Sequence, residues 1–337
     1  MTSDLRRKLF WSLLLAFLVY IGLILYADWR MLAETLSAFP WGWLPLVLGL
    51  TLLNYAGRLV KWHWYLHLVG VEITLADSTR IFGIGFLMVL TPGKVGEFFK
   101  SVMVRNVTGT PVAVTAPVVL AERMTDGLAM LILAGVGLFA FADPAARLAA
   151  AVALAGILGV IVVVQVRPLA LWMLHFGERL PLTRRFAGSL VQLYESSYTL
   201  FRPRNLLIAV SIGIVSWLGE GVAYYLVVRG LGAESSLPAA LIAVFIFSIS
   251  SIVGAVVATP GGLGGTEGSL VALSEQLLGM ARTSASAAAL LARFATLWFG
   301  VLLGVISLLL WPHLLIEQSP PAVRRPPSAV HPLIRKR

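Results

Sequence analysis

The chain is 337 residues long, 58% hydrophobic and only 12% charged, with a mean hydropathy of +0.88, whereas soluble domains run at about 45–50% apolar and about 25% charged. That balance excludes a soluble enzyme and a nucleic-acid-binding module and predicts an all-α polytopic membrane protein. Uncharged runs over 148–166, 237–266 and 294–312 reach the roughly 18 residues that a helix needs to cross the hydrocarbon core. The absence of cysteine rules out disulfides, thiolate metal sites and thiol catalysis. The net charge of +10 lies mostly in loops and tails, so it reports topology first and attraction to anionic lipids second.

The first apolar segment, residues 9–27, follows Arg6, Arg7 and Lys8. No small-residue cleavage site follows it before Asp28, Trp29 and Arg30, so it reads as a retained span rather than a signal peptide. A second span runs over 43–63. Over 79–105 the apolar run 81–90 stops at Thr91-Pro92-Gly93, and ten residues at ~1.5 Å each cannot cross a ~30 Å core. Proline and glycine together break a helix, so this region predicts a hairpin that enters the membrane and leaves on the same side. Further spans are expected at 112–141 and 147–166. In the arginine-rich linker 167–205, Phe186, Leu190, Leu193, Tyr194, Ser197 and Tyr198 recur at helical spacing, as in an amphipathic surface helix. Residues 206–228 span again, 237–259 leads into a second break at 260–265, and a last span covers 285–312. The tail 317–337, basic and proline-rich, reads as disordered. The expected architecture is therefore about six full spans plus two re-entrant hairpins in one membrane domain.

Orientation follows from the basic residues. Of 26 Lys and Arg, only Arg30, Arg147, Arg229 and Arg282 fall in the loops placed outside, which puts both termini in the cytoplasm. A hairpin contributes an even number of crossings whether it is re-entrant or fully spanning, so this parity does not depend on its depth.

The string Thr91-Pro92-Gly93-Lys94-Val95-Gly96-Glu97 reappears 168 residues later as Thr259-Pro260-Gly261-Gly262-Leu263-Gly264-Gly265-Thr266-Glu267. Downstream, Leu120-Ala121-Glu122-Arg123 matches Leu290-Leu291-Ala292-Arg293, and upstream the span holding Arg58 aligns with the span holding Glu220. Repeat units over 43–166 and 206–312, with hairpins opening from opposite faces, form a candidate inverted repeat. The plainer alternative makes the Pro-Gly pairs tight loops between full-length helices. Pro92, Gly93, Gly96, Pro260, Gly261, Gly262 and Gly264 are the expected hinge positions.

Ionisable residues in apolar segments cost at least ~2.5–3.5 kcal/mol at the bilayer centre, so Arg58, Lys61, Lys94, Glu97, Glu122, Arg123, Asp126, Glu220, Glu267 and Arg293 should face one another or a wet cavity. Glu122 and Asp126, four apart, share a helix face. The planar guanidinium fork of Arg123 and of Arg293 suits a phosphate, with Lys94 assisting, and half-helices beginning after Gly93 and Gly261 would aim free N–H groups at an anion. The competing reading makes Arg123–Glu97 and Arg293–Glu267 structural ion pairs. Lys61 and Lys100 read as side chains snorkelling to the interface. Trp11, Trp29, Trp41, Trp43, Trp62, Trp64 and Trp311 read as an aromatic belt. His63, His67, His175 and His313 read as interfacial, none with a second metal ligand at useful spacing. Neither a metal nor a cofactor is expected, and 261–265 lacks the lysine and Ser/Thr of a nucleotide loop.

Together, the two Thr-Pro-Gly strings, the Glu122-Arg123…Asp126 cluster and Glu267…Arg293 resemble the flippase-like integral membrane domain of lysylphosphatidylglycerol synthetases. That domain also occurs in stand-alone proteins of the UPF0104 type, some associated with hopanoid synthesis. The resemblance covers residues 10–312 and implies translocation of a lipid between the leaflets of a bacterial inner membrane. It implies no catalysis, because the soluble aminoacyl-transfer domain is missing, and so a separate lipid-synthesis enzyme as partner. Two other functions are weighed against it. A membrane-embedded transferase needs paired carboxylates presented to water, usually on a substantial loop, and a small-solute transporter makes Glu97 and Glu267 the primary site.

Overall fold

The computed structural model describes residues 28–91, 96–137 and 195–315, together with 18–22, 25, 148, 152, 155, 156 and 159. The described residues are helical, with no strand among them. In chain order they form α1 (Trp29–Ser37), α2 (Leu44–Leu68), α3 (Leu75–Gly85), α4 (Phe99–Thr108), α5 (Val112–Gly137), α6 (Pro203–Gly230), α7 (Leu237–Val257), α8 (Gly265–Leu278), α9 (Arg282–Arg293) and α10 (Phe299–Leu310). A helix satisfies its backbone internally, which hydrocarbon requires.

Four continuous helical stretches are long and apolar enough to cross a bilayer: Trp41–Leu68, Pro203–Gly230, Leu237–Val257 and Arg282–Leu310. The fifth long helix, α5, has 26 residues but carries Glu122, Arg123 and Asp126 midway. Local signals set the ends. Pro45 and Pro238 sit in the first turns of α2 and α7, where a missing N–H costs nothing. Thr74 and Ser236 cap α3 and α7 by accepting from the N–H of Asp77 and Ala239, which satisfies donors that a helix start leaves open.

The two breaks lie where the sequence places them, but the hairpins around them are unequal. The first joins α3, eleven residues extended by a five-residue 3-10 turn (Phe86–Leu90), to the ten-residue α4. Neither limb reaches spanning length. In the second, α7 has 21 residues and is itself long enough to span, whereas α8 has 14. The second break thus follows a helix of spanning length, in line with the uncharged run 237–266, whereas the first follows a short one. Pro92, Gly93 and Lys94 lie outside the described residues, as do 147 and most of the predicted span 147–166, most of the first span, the linker up to 194 and the tail. Where the linker resumes, 195–200 is helical and both Leu200 and Phe201 are buried in the core.

The helices pack both within and across the two sequence halves. α6 packs on α2, α5 and α7, α5 on α7, and α10 on α3. Small residues permit the close approach of α2 and α6: a Cβ on Gly57 would lie 2.1 Å from Ser216 Oγ, and one on Gly219 would lie 3.2 Å from Leu50 O. Close packing through small residues is how helices associate where no hydrophobic drive separates them from lipid. The two breaks touch, the 3-10 turn Phe86–Leu90 meeting Pro260–Gly262.

Threonine holds each break together. Thr91 Oγ1 donates to Met88 O at 2.6 Å and accepts from the Gly96 N–H at 2.8 Å, while Thr259 Oγ1 donates to Leu263 O at 2.8 Å. Gly262 has φ +71° and lies against Gly254, so that a Cβ there would stand 3.1 Å from Gly254 Cα. Gly262→Ala should therefore lower stability by about 1–3 kcal/mol through backbone strain and overpacking. Gly268→Ala, with open space around a helical position, should be neutral or stabilising by up to about 1 kcal/mol. Thermal unfolding of both variants in detergent checks this; equal melting temperatures would disprove the packing argument.

Candidate functional site

The charged residues of the first half converge from four places in the chain. Glu122 on α5, fully buried, accepts from Lys100 of α4 at 2.6 Å, from its neighbour Arg123 at 2.7 Å and from Arg58 of α2 at 3.2 Å. Asp126, one turn further, is held by Lys61 Nζ and lies 3.5 Å from Arg58 and 3.4 Å from Arg123. Glu97, in the short turn that precedes α4, pairs with Arg123 Nε at 3.2 Å. Lys61 is also within 3.3 Å of Thr125 Oγ1, and Lys100 lies 4.3 Å over the Trp62 ring.

The second half repeats one of these pairs. Arg293, the last residue of α9, donates through Nε to Glu267 Oε1 at 2.7 Å and through Nη2 to Gly261 O at 2.5 Å. The other carboxylate oxygen of Glu267 accepts from the Gly264 N–H at 2.8 Å, capping α8. Arg123 and Arg293 thus pair with Glu97 and Glu267 respectively, each carboxylate standing just after a Thr-Pro-Gly break. A π-helical turn, Phe294–Trp298, follows Arg293 directly, a feature frequent at functional sites. It leaves the Thr296 carbonyl to accept from Tyr55 Oη of the other half.

Both halves line one cavity. Arg58 and Arg123 face it from the first, Glu220, Gly261, Gly262, Thr266 and Arg293 from the second, with Tyr55 and Trp217 between. Its volume is about 100 Å³, enough for several waters or a phosphate group but not for a whole phospholipid. The Trp217 indole Nε1 is buried without a hydrogen-bond partner among the described residues, and Arg58 lies 5.8 Å over its ring.

Of the residues singled out from sequence, Arg58, Arg123, Glu220, Arg293, Gly261 and Gly262 line the cavity. Glu97, Glu122 and Asp126 stand behind it, holding the arginines. Glu267 holds Arg293 from the far side and, with Gly264, lines a second cavity against Val19 and Gly22. Gly96 lies beside Thr91, and Pro260 opens the second 3-10 turn. Arg123 and Arg293 each pair with a carboxylate and also line the cavity.

Three expectations are corrected. Lys61 and Lys100 do not snorkel: they are 0% and 2% exposed, because Asp126 and Glu122 compensate them inside. Trp62 is not part of a belt but fully buried beneath Lys100. His63 and His67, four apart on α2, do meet, with Nε2 atoms 3.2 Å apart, although no group of three or more His, Cys, Asp and Glu gathers around a metal position among the described residues. The signal for Lys61 was available: it lies three residues after Arg58, on the same face, as Asp126 lies four after Glu122.

Fold and site define an all-α membrane protein whose buried charges surround a cleft at the junction of two helix breaks. Residues 13–304 match the family model of the lysylphosphatidylglycerol synthase TM region. The chain belongs to that family. A UPF0104 membrane protein of Methanothermobacter thermautotrophicus is 34% identical over 113 residues. That match covers 34% of this chain and spans 32% of the relative's length.

Removing one carboxylate from the cluster leaves several buried cations short of compensation. Glu122→Gln is expected to cost about 3–5 kcal/mol. Asp77→Asn, which breaks the half-exposed Asp77–Arg80 pair, should cost no more than about 1 kcal/mol. Denaturation midpoints of the two variants in detergent give the comparison, and a mild Glu122→Gln would show that the network is not structurally important.

Proposed function

We propose that the chain moves a lipid with a polar or anionic head group between leaflets, the head group passing through the cleft while the acyl chains stay in the bilayer. The candidates are a phospholipid, an aminoacylated phosphatidylglycerol and a hopanoid-type lipid. The observation that carries this reading is the cavity itself, lined by Arg58, Arg123 and Arg293 from both sequence halves where the two breaks touch. Guanidinium groups suit a phosphate because they offer paired, charge-assisted hydrogen bonds, and a volume near 100 Å³ suits a head group alone.

In this reading the units 43–166 and 206–312 act as inverted halves, their hairpins entering from opposite faces, and the breaks supply the hinges. Both termini face the cytoplasm of a bacterial inner membrane, in accord with the distribution of Lys and Arg. The protein is a transporter and not an enzyme, and a separate protein makes the lipid. Without an ATP-binding motif, uphill movement draws on an ion gradient or a partner; otherwise the protein equilibrates the leaflets.

Purified protein reconstituted into vesicles with a fluorescent phospholipid tests the site. Arg123→Ala combined with Arg293→Ala should slow translocation at least tenfold, the loss expected for a charged hydrogen-bonding partner worth about 1.5–3 kcal/mol, while the helical circular dichroism is retained. Unchanged translocation by the folded double variant would reject the assignment.

A further inference from the structure

Among the described residues, the charges buried around the cleft balance. The cations and acids described above number five of each, and all are buried except Arg123, whose side chain is 25% exposed. A site made for a lone phosphate in a low-dielectric interior would carry a surplus cation, since a monoanion entering alone leaves one buried charge uncompensated. This site carries none among the described residues. A head group bearing both signs keeps the sum at zero: its phosphate takes an arginine, and its ammonium takes the carboxylate that the arginine gives up.

The cavity wall is amphoteric in the same way. Arg58, Arg123 and Arg293 offer a phosphate its donors, while Glu220, Tyr55 and Trp217 line the same space. A carboxylate with two aromatic rings is the combination that suits an ammonium group, by charge and by cation–π attraction. We propose, resting on the lipid-transport reading, that the cleft selects a zwitterionic phosphodiester head group carrying one primary amine over an anionic phospholipid.

The test uses the full chain in vesicles and three probes with the same labelled acyl chain: phosphatidylethanolamine, the same lipid with its amine capped as an amide, and phosphatidylglycerol. Wild type should move the free-amine probe about tenfold faster than either anionic probe, a modest estimate for one uncompensated buried charge. Glu220→Gln removes one negative charge and should reverse the preference toward the anionic probes. Glu97→Gln should shift it in the same direction and serves if the first variant does not fold. Equal or faster movement of the anionic probes by wild type would overturn the proposal, and so would a variant that slows all three alike. If wild type moves no probe faster than empty vesicles, the transport reading itself fails; if the double arginine variant moves all three at the wild-type rate, the arginine site is rejected and this proposal with it.

Discussion

Charge in hydrocarbon is the constraint on which the remaining structure rests. Glu122 cannot be ionised in the middle of α5 unless cations come to it, and they come from three places: Arg58 on α2, Lys100 on α4 and Arg123 beside it. The carboxylate therefore joins a spanning helix, a short hairpin limb and its own helix at one point. The cost of separating them, once buried, exceeds what the pair gained by forming, because each partner left behind is an unpaired charge. Such a network specifies an arrangement more strongly than it stabilises it. It can therefore hold α4, a helix of ten residues too short to fix its own depth, in a defined place.

The second break solves the same problem with fewer charges. When α7 ends, its last carbonyls and the first N–H groups of α8 need partners that lipid cannot supply. Arg293 donates to Gly261 O, Glu267 accepts from the Gly264 N–H, and the two side chains bond to each other. One ion pair thus satisfies a carbonyl within the break and the N-cap N–H of α8. The Thr-Pro-Gly…Glu string read from the sequence is in this sense a way of ending a helix within a membrane protein and beginning another.

How much of this could be read in advance depended on how local the cause was. The break positions followed from proline and glycine, the long helices from apolar length, and the Arg123–Glu97 and Arg293–Glu267 pairings from the repetition of one string. Burial of Lys61 and Lys100 was not legible in that way. A lysine near a helix end reads as interfacial until the partner carboxylate, more than 60 positions away in one case, is placed beside it. Trp62 was misread for the same reason, since the core residues that cover it come from other helices and Lys100 lies over its ring. The π-turn after Arg293 has no compositional mark: it is set by packing, with Tyr55 reaching the Thr296 carbonyl from the other half.

These placements bear on how a head group could be passed on. The arginines that line the cavity already pair with carboxylates, so a guest that draws a guanidinium away from its carboxylate exchanges one ion pair for another. Exchange keeps the barrier low in both directions, because neither the empty nor the filled state leaves a bare charge. A site with free arginines would bind a phosphate tightly and release it slowly, which suits a receptor better than a carrier. Arg293 stands at the junction of α9 and the π-turn, bonded to Glu267 and to Gly261 O. Arg123, its counterpart, has three acidic partners within 3.4 Å, so one bond can be given up while two remain.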